Sequence, residues 1–176
     1  MLKGELVGLR AVEESDLEIM RDWRNIENFR KHFREVRELN MYHQKKWFEK
    51  THQSPNDFMF IIVRLEDNKP IGACGLLYIN WILRAADFSF YIGEGENYMD
   101  DKFAYEASNL LLTYGYDQLN LNKVWMELYE YDSPKFDFFT KKFKFNVDGK
   151  LRQNCFYEGK YWDSHIISLL SKEHSS

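Results

Sequence analysis

Residues 83–119 constrain the fold more than any other stretch of the chain. Residues 84–92 read as an apolar strand, and 93–99 as a short acidic loop containing Gly93 and Gly95. The segment that follows carries Phe103, Ala107, Leu110, Leu111 and Tyr114 at helical spacing. A second apolar strand, 123–129, comes within a few residues, so strand, helix and strand make one crossover unit whose strands run parallel. The turn from strand into helix leaves backbone N–H groups free. That is an anion-binding arrangement in outline.

The rest of the chain supplies partners for this unit. Residues 5–12 alternate as a first strand, and Glu14-Ser15-Asp16 opens a helix holding Leu17, Ile19, Met20 and Trp23. In 26–37 the spacing of Phe29, Phe33 and Val36 predicts a second helix, and 41–51 a third with His43 and Trp47 one turn apart. After the break at Ser54-Pro55-Asn56, residues 58–65 and 70–80 form a hairpin about the turn 66–69. With 84–92 they make an antiparallel meander. Residues 133–142 read as a short amphipathic helix with Pro134 in its first turn. Two last strands, 143–157 and 161–170, join at Glu158-Gly159-Lys160, and 171–176 is expected to be a disordered tail.

Composition narrows the class. A chain of 176 residues suits one domain, expected over 1–170, and its 44% hydrophobic share provides a core rather than a disordered chain. A net charge of −4 gives no basic footprint for nucleic acid. No run of about 18 apolar residues exists to span a membrane. Cys74 and Cys155 are far apart without metal-ligand spacing, so no metal site is expected and a cytoplasmic setting is the simplest.

Several short patterns recur in order. They are Leu9-Arg10 followed by 13–17, Trp23-Arg24-Asn25 closing the first helix, Pro70-Ile71-Gly72, and Tyr91-Ile92-Gly93-Glu94. Glu106-Ala107, residues 119–124 and Gly159-Lys160-Tyr161-Trp162-Asp163 complete the set. Their order and spacing resemble the GNAT superfamily of N-acetyltransferases, and within it the branch acting on ribosomal-protein N-termini and amino-sugar nucleotides. The resemblance implies an α/β (α+β) GNAT-like fold: a mixed central sheet of about seven strands, flanking helices and a splayed parallel strand pair. It also implies transfer of an acetyl group from acetyl-CoA to a primary amine by direct attack in a ternary complex, without a covalent enzyme intermediate. The implied acceptor is a small amine or a protein N-terminus, and the implied assembly a monomer or homodimer.

By the same resemblance, acetyl-CoA lies between strands 84–92 and 123–129. The main chain of Phe90, Tyr91 and Ile92 holds the pantetheine arm, and the helix opening holds the pyrophosphate. The family loop there runs Arg or Gln, two residues, Gly, one residue, then Gly or Ala. Anchored on Glu106-Ala107, its positions fall at Met99, Lys102 and Ala104, with Phe103 between the last two; only Ala104 fits. Asp100 and Asp101 stand in the same turn, and helix capping competes with phosphate for those N–H groups. Later, the family's Asn, Ala and Tyr fall at Ser133, Phe136 and Thr140, or, one place back, with Phe139 at the tyrosine position. Tyr98, Tyr129 and Tyr131 are the nearby hydroxyls for a departing thiolate. Glu127, on one strand face with Trp125 and Tyr129, is the candidate base, and Asp87 is a second carboxylate of the same kind. His43 and His52 read as surface residues. Two functions follow: an acetyltransferase with an altered cofactor loop, or a non-catalytic GNAT-fold protein acting as a binding or structural partner.

Overall fold

The computed structural model describes residues 1–174. One mixed sheet contains eight strands: β1 (Leu2–Lys3), β2 (Val7–Ala11), β3 (Phe58–Arg64), β4 (Lys69–Asn80), β5 (Ala85–Ile92), β6 (Lys123–Tyr129), β7 (Asn146–Tyr157) and β8 (Lys160–Leu170). Their spatial order is β1-β2-β3-β4-β5-β6-β8-β7. The strand beyond the expected seven is the two-residue β1, which pairs with Gly8 and Leu9. Gly4 makes that bend possible. A Cβ there would stand 2.5 Å from Cδ of Glu106, whose carboxylate accepts the N–H groups of Glu5, Leu6 and Val7 at 2.6–2.8 Å.

The helices are α1 (Leu17–Asn25), α2 (Glu27–Arg30), α3 (Met41–Gln53), α4 (Ala104–Thr113), α5 (Ser133–Lys142) and the terminal turn α6 (Ser171–His174). On one face of the sheet, Ala104, Ala107 and Leu111 of α4 and Phe138 and Phe139 of α5 pack on Leu76, Phe88, Phe90 and Met126. On the other face, Met20, Trp23 and Phe29 cover Ile61, Ala73 and Tyr91. Hydrophobic burial on both faces fixes the sheet against two sets of helices.

Two expectations are corrected here. The helix expected over 26–37 shrinks to α2. Phe29 is buried and Phe33 packs beside it, but Val36 is 75% exposed, so the third residue of the stripe meets no core. The Asn25 side chain also exchanges two hydrogen bonds of 2.7 Å with the main chain of Leu39, which holds 31–39 as a loop. The tail is likewise ordered through His174: Glu173 accepts the N–H of Leu170, and the His174 ring lies 5.2 Å from that of Tyr116. Residues 175–176 of the expected tail lie outside the described residues. Among the described residues, no helix is long and apolar enough to cross a membrane.

The crossover unit places the site. β5 and β6 are parallel, but they pair only at Ala85–Asp87 against Lys123–Trp125. Beyond that, β5 stays with β4 while β6 runs on with β8 as far as Tyr129. The two strands part, and α5 closes the gap between them.

Candidate active site

The gap opens at Asp87, beyond which Phe88 and Phe90 face Met126 and Leu128 across a cavity of about 250 Å³. Alternation along β5 turns the main chain of Phe88, Phe90 and Ile92 to this side. The Ile92 N–H donates to the Tyr98 carbonyl at 2.9 Å, and the Phe90 carbonyl accepts Nζ of Lys135 at 2.6 Å. Tyr91 therefore departs from expectation. Its main chain turns toward Ala73 of β4, and its ring is buried edge-on to Trp23 and Phe33 on the opposite face.

Two carboxylates converge on the cavity from the two strands. Asp87 accepts Nη1 of Arg34 at 2.6 Å, while Oε2 of Glu127 lies 3.9 Å from Nη2 of the same guanidinium. Burial pushes the Asp87 carboxyl up, against the pull of Arg34. Glu127 is held differently: Ser164 Oγ and Asn154 Nδ2 donate to Oε1 at 2.7 and 2.6 Å. Asp87 is the more buried of the two carboxylates, its side chain 8% exposed against 16% for Glu127. Tyr129 lines the same cavity, and burial raises its hydroxyl further above the usual phenol range. Trp47, Tyr78, Phe33 and Glu35 complete its acceptor-side wall.

The remaining sequence candidates lie elsewhere. Asp100 Oδ1 accepts the N–H groups of Phe103 and Ala104 at 3.0 and 2.7 Å, so a carboxylate already occupies the amides that the resemblance assigns to pyrophosphate. Met99 packs into both core clusters. Lys102 Nζ stands 4.8 Å over the Phe103 ring, in a surface depression shared with Glu5 and Arg64. Ser133 is the exposed first residue of α5. The pyrophosphate loop thus departs from the family pattern at the amides themselves. Thr140 Oγ1 donates to the Phe136 carbonyl at 2.7 Å, so its hydroxyl serves its own helix. Tyr98 donates to Asp132 and Tyr131 to the Lys31 carbonyl.

Sequence reasoning missed Lys135. Its side chain is buried, with Nζ on the Phe90 carbonyl and 4.4 Å from the centre of the Tyr98 ring. Burial pushes its ammonium down to about 8, although Asp132 and Asp87 pull the other way. A signal was present: Lys135 shares a helical stripe with Phe138 and Phe139, and a lysine on an apolar stripe is out of place. Arg34 lies in a loop that the helical pattern mistook for a solvent-facing helix position. No pattern pointed to it.

The match to known proteins agrees with this geometry. Residues 7–139 match the model of the acetyltransferase (GNAT) domain. The chain belongs to the GNAT acetyltransferase family, whose members use acetyl-CoA as co-substrate. Among curated relatives, it is 28% identical over 116 residues to an uncharacterized N-acetyltransferase, p20, of Bacillus licheniformis, covering 66% of this chain and 64% of that protein. It is 30% identical over 95 residues to spermidine N(1)-acetyltransferase of Escherichia coli strain K12, covering 54% of this chain and 50% of that enzyme. The chain thus spans less than two thirds of either relative. Its fold is that of spermidine N-acetyltransferase from Vibrio cholerae, crystallised with CoA and spermine. That structure superposes with a TM-score of 0.88 at 24% identity over 98% of this chain and 100% of that one. The ribosomal-protein and amino-sugar branch is not among these relatives.

Proposed function

We propose that this protein transfers an acetyl group from acetyl-CoA to a primary amine of a polyamine or similar aliphatic polycation. One observation carries the reading: Asp87 and Glu127, from opposite sides of the gap, already hold a cation between them, the guanidinium of Arg34. Arg34 comes from the 31–39 loop and is 49% exposed, so an acceptor ammonium can replace it without stripping a buried residue from the core. Two carboxylates in a partly dry cleft recognise cations through Coulomb attraction that bulk water would screen. The spermidine acetyltransferases among the relatives support the same acceptor class, and a protein N-terminus loses ground to it.

In this reading Glu127 holds a distal ammonium, and Asp87 accepts the proton from the attacking amine. Burial raises the Asp87 carboxyl, which favours it as the base. Tyr129 lines the acceptor's path. The Phe90 main chain and the amides of Phe103 and Ala104 are the contacts proposed for acetyl-CoA, the latter once Asp100 gives way. The non-catalytic alternative draws on the Asp100 cap over the Phe103 and Ala104 amides, but that cap leaves the carboxylate-lined gap intact.

The test is an amine panel with acetyl-CoA, comparing spermidine, spermine and putrescine with a dipeptide N-terminus, each followed by product mass. Acetylated polyamine is expected, with KM lowered by Arg34→Ala because that change empties the cation site. Acetylation of the dipeptide alone, or a raised polyamine KM in Arg34→Ala, would refute the assignment.

A further inference from the structure

We propose that Lys135 is the proton donor to the departing CoA thiolate, in the place where the family pattern has a tyrosine and this chain has Thr140. The inference rests on the acetyltransferase reading above. Its first support is position. Lys135 reaches from α5 into the gap between β5 and β6, and its ammonium binds the Phe90 carbonyl on the wall of the cavity that holds Asp87 and Glu127. A thioester whose carbonyl is open to an amine at Asp87 has its sulfur in this gap, which α5 covers.

Its second support is the state of the other donors. Thr140, Tyr131 and Tyr98 each have a single O–H, spent on the Phe136 carbonyl, the Lys31 carbonyl and Asp132, whereas the Lys135 ammonium has two N–H groups beyond the one on the Phe90 carbonyl. Tyr129 faces the cavity, but burial raises it above the ordinary phenol value of about 10, and an ordinary thiol titrates near about 8.5. Proton transfer from Tyr129 to a thiolate is therefore uphill. Lys135, pushed down to about 8, matches the thiol closely, which is the condition for efficient general acid catalysis.

The charged and titratable groups around Lys135 come from five elements. They are Asp132 before α5, Asp87 of β5, Arg24 of α1, His32 after α2 and Tyr98 after β5. The two carboxylates hold the proton on and Arg24 drives it off, while burial outweighs both. In the reaction, the neutral amine forms a C–N bond to the thioester carbonyl and passes its proton to Asp87. The C–S bond breaks with its electron pair on sulfur. Lys135 gives one N–H proton to that sulfur, CoA leaves as the thiol, and solvent reprotonates the neutral amine of Lys135.

The experiment compares the unmodified protein with Lys135→Met and Lys135→Arg. It measures acetyl-CoA Kd by calorimetry and kcat for spermidine across pH. The unmodified protein is expected to bind acetyl-CoA and to lose kcat as pH rises through about 8. Lys135→Met should bind acetyl-CoA with similar Kd yet lose kcat about 100-fold, with no alkaline limb. Lys135→Arg keeps the charge without a proton that can leave at these pH values, so it should bind and fold but remain slow. Loss of binding in step with rate, full kcat in Lys135→Met, or rescue by Lys135→Arg overturns the assignment. So does an acetyl group found on Lys135 itself, which would make it a nucleophile. If the unmodified protein neither binds acetyl-CoA nor acetylates any amine, the acetyltransferase reading fails, and Lys135 as donor fails with it.

Discussion

Replacing Asp100 with alanine should move stability and cofactor affinity in opposite directions. Asp100 Oδ1 accepts two N–H groups at the opening of α4, those of Phe103 and Ala104. Losing such a cap costs about 1 kcal/mol, which lowers Tm by about 2–4 °C in a chain of this size. The same change frees both amides and removes one negative charge from beside the pyrophosphate. A unit charge at about 4 Å contributes about 1 kcal/mol of repulsion in water. A hydrogen bond to a charged acceptor adds about 1.5–3 kcal/mol, and water exposure keeps it at the low end. Together about 2.5 kcal/mol is gained, so acetyl-CoA should bind roughly 60-fold tighter. Calorimetric Kd and thermal melting of the two proteins test both halves. An unchanged or weaker Kd, with the expected fall in Tm, would show that α4 is not where the pyrophosphate rests.

Further predictions follow from the same structure. Asp87→Asn should hold or raise Tm, because it removes a buried carboxylate while Arg34 can return to water, yet it should abolish turnover; a loss of stability matching the loss of activity would make Asp87 structural. Glu106→Ala should cost about 2 kcal/mol by stranding three N–H groups of the N-terminal segment, read from a denaturant midpoint. His32 is held down to about 4 by burial, so the folded state binds fewer protons than the unfolded state below the ordinary value of 6.5. Stability should therefore fall as pH drops from 6.5 toward 4, and His32→Phe should flatten that slope in pH-dependent unfolding. Lys135 acts in the same sense at alkaline pH: its contribution to stability should rise between about 8 and 10.5, and Lys135→Met should remove that rise.

Much of the architecture was fixed by local chemistry. Apolar runs bounded by turn residues marked β3, β4, β5 and β6 to within a residue or two; β3, β4 and β5 bury consecutive side chains, and β6 alternates. Pro134 and the Lys141-Lys142 end bounded α5 at the residues observed, and Glu158-Gly159, both at positive φ, made the last hairpin. The carboxylates Asp87 and Glu127 were also readable as charges set in apolar strands. The capping competition at Asp100 was legible too, since an acidic first turn can satisfy helix N–H groups without help from distant residues.

What the sequence could not carry depends on groups far apart in the chain. Whether 26–37 stays helical is settled by Asn25 binding Leu39 and by the absence of a core beneath Val36. Arg34 meets Asp87 across 53 positions, and Lys135 meets Phe90 across 45. Their roles arise only after β5 and β6 part and α5 closes over the gap. Periodicity reports which face of an element is buried. It does not report which buried cation will lie against which strand's carbonyl, because that is decided by packing between elements and by the dielectric that packing creates.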